Sequence, residues 1–147
     1  MIMKIKINFF NENIKFVLKN KIILRNWITS VIEEEKITAE SINYIFCSDK
    51  YLLEINLKFL NRDTLTDVIS FNYNEINEPI QGDIYISIER IKENSLILGQ
   101  PFKNEIYRIM IHGLLHLIGY EDTEPEEKLL MTKKEDYYLS KLSLIKD

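Results

Sequence analysis

The sequence predicts an α+β fold, in which a mixed four-stranded sheet packs with about five helices. Segments that alternate apolar and polar residues are interleaved with segments of helical spacing, in the order β α β α β β α α α. Two neighbouring strand segments are separated only by the polar, turn-like segment NEINEP, so they can pair antiparallel. Residues 102–118 are apolar on nearly all sides, which is typical of a central buried helix.

The first half of the chain is predicted to form two strands and two helices. The strand segments alternate apolar and polar residues, whereas the first helical segment has helical spacing and ends in a solvated EEEK stretch. Either Ser48 or Asp49 can cap the N-terminus of the second helix. The predicted elements are a strand over 3–9, a helix over 19–35, a strand over 41–47 and a helix over 50–60.

The second half is predicted to form a strand pair followed by three helices. A helix begins at Ser87 or Glu89 and is ended by Gly99, and the central helix is ended by Gly119. The last helix has Thr123 as its N-cap and a proline in its first turn. The predicted elements are strands over 67–73 and 83–88, and helices ending at about 98, over 102–118 and over 124–143.

Composition indicates a globular protein, and we expect one domain over residues 1–147. Of the 147 residues, 46% are hydrophobic and 29% are charged, which is ordinary for such a domain. The single cysteine, Cys47, lies in the apolar run NYIFCS and is expected to be a buried thiol in a reducing compartment. We find neither a signal-peptide pattern nor a long apolar run, so we expect a cytoplasmic protein with no membrane span. The net charge of −4 argues against a uniformly basic nucleic-acid-binding surface but permits a local patch.

The two histidines of the chain, His112 and His116, are four residues apart on the predicted central helix. Residues at this spacing share a helix face, so both imidazoles can reach one metal ion, as in helical zinc sites. A catalytic zinc ion takes three protein ligands and keeps one position open. Gly119 allows the chain to reverse, so Asp122 can supply the third ligand, with Glu121 as the competing candidate.

Two alternatives compete with a catalytic metal site. The histidines can instead be core residues whose ring nitrogens are satisfied by hydrogen bonds. A metallopeptidase is disfavoured, because the H-E-x-x-H motif needs a glutamate where this chain has Gly113. A glycine there leaves space for a backbone or a substrate to approach.

Four blocks of the chain resemble, in order, the motifs of one protein family. HGLLHLIGYED at 112–122 is similar to H-G-x-L-H-L-x-G-Y-D-H, the signature of the YbeY family of bacterial rRNA maturation factors, which are single-strand-specific endoribonucleases. LTDVISF at 65–71 resembles T-D-V-L-S-F, and GDIYIS at 82–87 resembles G-D-I-x-I-S. IN-x-x-F at 55–59 resembles L-N-x-x-Y more weakly, so the resemblance spans residues 55–122.

The resemblance implies one zinc ion per chain and an endoribonuclease that acts in rRNA maturation (16S rRNA 3′ end processing) and ribosome quality control. His112 and His116 match two of the family's three zinc ligands, whereas Asp122 stands where the family has a histidine. Leu60 stands where the family has an arginine, and Arg62 is the nearest replacement by type. The implied catalytic residues are His112, His116 and Arg62, and the implied partner is single-stranded rRNA of the small ribosomal subunit. The alternative is a ribosome-assembly factor that binds RNA or a ribosomal protein and uses the metal only as structural support.

Further residues of these blocks have two interpretations each. Asp83 can accept a hydrogen bond from a histidine Nδ1 or cap a turn. Asp67 can act at the site or end a strand, and Gly82 can permit a bulge or a close approach of the zinc helix. Tyr120 can stack on a base or pack beside the helix end.

Overall fold

A computed structural model describes residues 4–144 of the chain. Within these residues, four strands and five helices follow one another in the predicted order, which confirms the α+β class. The elements are β1 (Lys6–Glu12), α1 (Lys21–Glu34), β2 (Ala39–Cys47), α2 (Asp49–Leu60), β3 (Val68–Asn72), β4 (Ile80–Ser87), α3 (Ile88–Leu98), α4 (Phe102–Ile118) and α5 (Pro125–Ser140).

The sheet is mixed, with the strand order β1-β2-β4-β3. β2 pairs in parallel with both β1 and β4, whereas β3 and β4 form the antiparallel hairpin that the sequence predicts. The larger core cluster lies between α1, α4 and one face of the sheet, and a smaller cluster of Cys47, Leu52 and Ile69 lies under α2. Burial raises the pKa of the Cys47 thiol to about 12, in keeping with the predicted buried thiol.

Helix α4 is the central buried helix, as predicted, and it packs closely on the β3–β4 hairpin. A Cβ placed on Gly113 would lie 2.6 Å from Ile84 Cγ2, and one placed on Gly82 would lie 2.6 Å from Leu117 Cδ1. The predicted close approach at Gly82 is therefore confirmed, and the space at Gly113 is filled by the sheet. The Ser70 hydroxyl also donates to the Gly113 carbonyl, at 2.9 Å. These contacts fix the height and rotation of α4 on the sheet.

Strand ends differ from the prediction where pairing with a neighbouring strand sets them. β4 begins at Ile80, three residues before the predicted start, because the Ile80 amide donates to the carbonyl of Thr38 beside β2. It ends at Ser87, whose hydroxyl accepts from the Arg90 amide and caps α3. β1 extends to Glu12 because its residues continue to pair with β2. The predicted strand start at Met3 lies outside the described residues.

Helix caps agree with the prediction except at the start of α5. Ser48 caps α2, and Gly99 ends α3 in the left-handed conformation. Thr123 was the predicted N-cap of α5, but Glu124 takes this position and forms a reciprocal capping box with Glu127. Across the described part of the chain, the helices are too short or too polar to cross a bilayer.

Candidate metal centre

His112 and His116 lie one turn apart on α4 and present their Nε2 atoms to the same point, 3.0 Å from each other. Both side chains are half-buried, with 20% and 26% of their surface exposed. The spacing follows directly from the helix, because residues four apart are stacked on one face.

The remaining ring nitrogens are held by oxygen atoms. His116 Nδ1 donates to the backbone carbonyl of Tyr120 at 2.9 Å, and His112 Nδ1 lies 2.5 Å from Oε2 of Glu135. A carbonyl can only accept, so His116 Nδ1 carries the hydrogen and the Nε2 atom of the neutral ring carries a lone pair. The Glu135 carboxylate likewise accepts a hydrogen from Nδ1 of His112, which leaves the lone pair of that ring on Nε2. Both Nε2 lone pairs therefore point into one space.

Asp122 completes the cluster from the loop after α4. Gly119 ends the helix at φ 119°, and the Tyr120 amide donates back to the Leu115 carbonyl, so the chain reverses over the helix end. Asp122 Oδ2 then lies 3.4 Å from His112 Nε2 and 3.5 Å from His116 Nε2. Among the described residues, Asp122 joins the two histidines in a cluster that can hold a metal ion, whereas Glu121 is exposed and lies outside it.

The three ligand atoms fit a tetrahedral zinc ion. Zinc bonds of roughly 2.0–2.1 Å at tetrahedral angles place neighbouring ligand atoms about 3.3 Å apart. The observed edges of the triangle are 3.0, 3.4 and 3.5 Å. Two lone pairs and a carboxylate at these separations repel one another, and a cation between them removes this repulsion. The donor set is one that zinc accepts.

Two cavities open beside the cluster, so a metal ion there would keep access to a substrate. One cavity of about 380 Å³ is lined by residues that include Asp67, His112 and Asp122. The other, of about 420 Å³, is lined by residues that include Arg62, His116 and Asp122. The Asp122 side chain borders both cavities and is 41% exposed.

The sequence did not reveal Glu135, which is the partner of His112. Its side chain is 8% exposed and also accepts from Arg108 Nη1 at 2.8 Å. Burial alone would lower the pKa of His112, but the hydrogen bond and charge of Glu135 outweigh it and raise that pKa. The sequence does contain a sign of its burial. Glu135 lies four residues from both Met131 and Leu139, and this spacing places it on the buried face of α5.

The structure does not bring Asp83 to the histidines, which corrects its predicted role as a histidine partner. Side chains alternate along β4, and Gly82 faces α4, so Asp83 faces the other side of the sheet. There it accepts from Asn43 Nδ2 at 3.0 Å and from the Tyr73 hydroxyl at 2.8 Å.

Asp67 and Tyr120 lie close to the site. The backbone carbonyl of Asp67 accepts from the Ser87 amide, which holds the end of the hairpin, and its side chain lines the cavity beside His112. Burial raises the pKa of the Asp67 carboxyl. Tyr120 packs beside the helix end, with its hydroxyl donating to Glu35 at 2.5 Å.

Known proteins are similar to this chain in sequence and in fold. The family model described as Endoribonuclease YbeY matches residues 6–143. A protein named Endoribonuclease YbeY from Flavobacterium psychrophilum is 52% identical over 127 residues, which cover 86% of this chain and 90% of the relative. One of the same name from Amoebophilus asiaticus is 47% identical, over 92% of each chain. A solution structure of a Thermotoga maritima protein superposes with a TM-score of 0.63 at 26% identity, covering 92% of this chain and 88% of that one. Since the match spans nearly the whole chain and includes the histidine cluster, this chain belongs to the YbeY endoribonuclease family.

Proposed function

We propose that this chain is a zinc-dependent, single-strand-specific endoribonuclease that acts in rRNA maturation, at the 3′ end of 16S rRNA, and in ribosome quality control. Its substrate would be rRNA of the small ribosomal subunit. The observation that supports this most directly is the open triangle of His112 Nε2, His116 Nε2 and Asp122 Oδ2. Relatives that are 52% and 47% identical in sequence are named as endoribonucleases.

Zinc at this triangle would polarise a phosphodiester and lower the pKa of a coordinated water from about 15.7 towards about 7. The protein's part is to hold its ligands in place before the substrate arrives. His112 and His116 are fixed by hydrogen bonds at Nδ1, which leaves Nε2 of each free for the metal. The Asp67 carboxyl lines the cavity beside His112, where it can contact a substrate or a water molecule.

We assign Arg62 to the scissile phosphate. The residue follows the left-handed C-cap of α2, Asn61, and lines the same cavity as His116 and Asp122. Leu60, which stands where the resemblance expects an arginine, lines this cavity too and is 43% exposed. The Arg62 guanidinium, two residues after Leu60, can therefore reach the same cavity and bind a phosphate there with two parallel hydrogen bonds.

Arg62→Ala should slow RNA cleavage about 10- to 100-fold and leave zinc content unchanged. A hydrogen bond to a charged group contributes roughly 1.5–3 kcal/mol, which corresponds to this range of rates. Single-turnover cleavage of a short single-stranded RNA by the zinc-loaded protein measures the effect. Arg62→Lys, which keeps the charge but loses the fork, should fall between the wild type and the alanine variant. Cleavage at the wild-type rate in Arg62→Ala would remove Arg62 from the mechanism.

The proposed function is tested by comparing a single-stranded RNA with its duplex as substrates for the zinc-loaded protein. We expect cleavage of the single strand alone, and loss of that cleavage in His116→Ala with RNA binding retained. Binding is measured separately by fluorescence anisotropy. If the wild type binds both RNA and zinc but cleaves nothing, the ribosome-assembly role with a structural metal replaces the nuclease. The apolar, half-exposed Leu60 beside the cluster is the observation that favours this second function.

A further inference from the structure

Glu35, at the end of α1, occupies an unfavourable position for an acidic residue. It is the C-cap of the helix, where the helix dipole disfavours negative charge. The sequence placed it in a solvated EEEK segment, and Glu33 and Glu34 are indeed exposed. The Glu35 side chain, in contrast, is only 7% exposed, which corrects that expectation. A buried acid at this position requires a compensating set of contacts.

Three donors from beyond α1 converge on the Glu35 carboxylate. They are the hydroxyl of Tyr120 at 2.5 Å, the ammonium of Lys134 at 3.0 Å and the hydroxyl of Tyr138. Burial alone would raise the pKa of Glu35, but these hydrogen bonds and the Lys134 charge outweigh it and lower that pKa. Glu35 is therefore a charged anchor that joins α1, the loop after α4 and α5.

Of the two tyrosines, Tyr120 is the one that hydrogen-bonds a metal ligand. Tyr120 receives the His116 Nδ1–H on its backbone carbonyl, and Asp122 follows it by two residues. Tyr138 uses its own backbone carbonyl for a different purpose, because it accepts from Trp27 Nε1 at 2.8 Å in the core. The two phenols thus bind the same carboxylate but hold different parts of the molecule.

We propose that Glu35 is a positioning residue for the metal centre. By holding the Tyr120 ring it fixes the carbonyl that orients His116 and the start of the loop that bears Asp122. Glu35 touches neither the metal ligands nor the cavities that border Asp122. The inference rests on the proposed function for its consequence in catalysis, whereas the orientation of His116 is a property of the metal-free protein.

Tyr120→Phe and Tyr138→Phe form a matched pair that tests this role. Each removes one hydroxyl from the same carboxylate with almost no change in volume, so both proteins should fold and lose similar thermal stability. We expect Tyr120→Phe to weaken zinc binding about 3- to 10-fold, since partners of metal ligands typically contribute about 10- to 100-fold and Tyr120 is tied to Glu35 one step further away. Tyr138→Phe should bind zinc within about 2-fold of the wild type. Competition with a chromophoric chelator gives both affinities.

A second measurement uses the zinc-free protein. Nitrogen-15 NMR of the imidazoles reports which ring nitrogen of His116 carries the hydrogen. The wild type and Tyr138→Phe should show His116 protonated at Nδ1, whereas Tyr120→Phe should show a mixture of tautomers. Equal zinc affinities and equal His116 tautomers in the two variants would overturn the proposal. Failure of the wild type to bind zinc or cleave RNA would instead refute the proposed function, and the tautomer result would still decide the role of Glu35.

Discussion

Alanine at His112, His116 or Asp122 should each reduce bound zinc from about one ion per chain to nearly none. Each substitution leaves only two of the three protein ligands in this cluster. A catalytic zinc ion normally takes three. Loss of a mere hydrogen-bond partner of a ligand costs about 10- to 100-fold in affinity, so loss of a ligand should cost more. Elemental analysis of protein prepared without chelator measures the content.

Glu121→Ala is the control for Asp122. It removes the same charge from the adjacent residue of the same loop, but Glu121 is exposed and lies outside the cluster. Its zinc content should equal that of the wild type. If Asp122→Ala kept its zinc and Glu121→Ala lost it, the third ligand would be Glu121. A folded wild type without any metal would return the histidines to the role of core residues.

The elements of the fold were predictable because each follows from a local pattern. The apolar character of residues 102–118 identifies α4 as buried, and α4 packs on the β3–β4 hairpin. The start of β4 was not predictable from its own residues. Ile80 joins the strand through a bond to Thr38, about 40 residues earlier in the chain, and only the folded sheet brings the two together.

The same distinction holds at the metal centre. His112 and His116 are neighbours by helix geometry alone, so their spacing sufficed to predict the pair. Glu135 lies on α5 and Glu35 at the end of α1, and tertiary packing brings Glu135 to His112 and Glu35 to Tyr120. Asp83 shows that local rules can also exclude a role: if Gly82 faces α4, period-two alternation turns Asp83 away from it.

Glu135→Gln should weaken zinc binding about 10- to 100-fold, the usual effect of removing a carboxylate partner from a ligating histidine. Glu135 receives both His112 Nδ1–H and the Arg108 guanidinium while it is almost fully buried. Glutamine keeps the shape and one acceptor oxygen but loses the charge that makes His112 a stronger ligand. The zinc dissociation constant is measured by chelator competition, with circular dichroism to establish that the variant is folded.

Asp136→Asn is the matched control for Glu135→Gln. Asp136 is the other partner of Arg108, at 2.7 Å, and its side chain is 59% exposed. The substitution therefore disturbs the same arginine and removes the same charge from the neighbouring residue, but leaves His112 untouched. Zinc affinity should stay within about 2-fold of the wild type. Equal weakening in both variants would mean that Glu135 acts through Arg108 and the packing of α5.

Glu135 should affect both the zinc affinity of His112 and the stability of the zinc-free protein, and the two effects should depend on pH in opposite ways. Because the carboxylate raises the pKa of His112, a proton competes with zinc for Nε2 at a higher pH in the wild type than in Glu135→Gln. The difference in zinc affinity between the two proteins should therefore be largest above that raised pKa and should narrow as the pH falls.

The stability of the zinc-free protein should depend on pH in the opposite direction. The stability from the charged pair is fully present below the ordinary histidine pKa of about 6.5 and is lost as the pH rises through the raised value. Chelator competition and zinc-free thermal unfolding, followed from about pH 5.5 upwards, measure both changes. If Glu135 only filled space, the differences in zinc affinity and in zinc-free stability between the wild type and Glu135→Gln would not depend on pH.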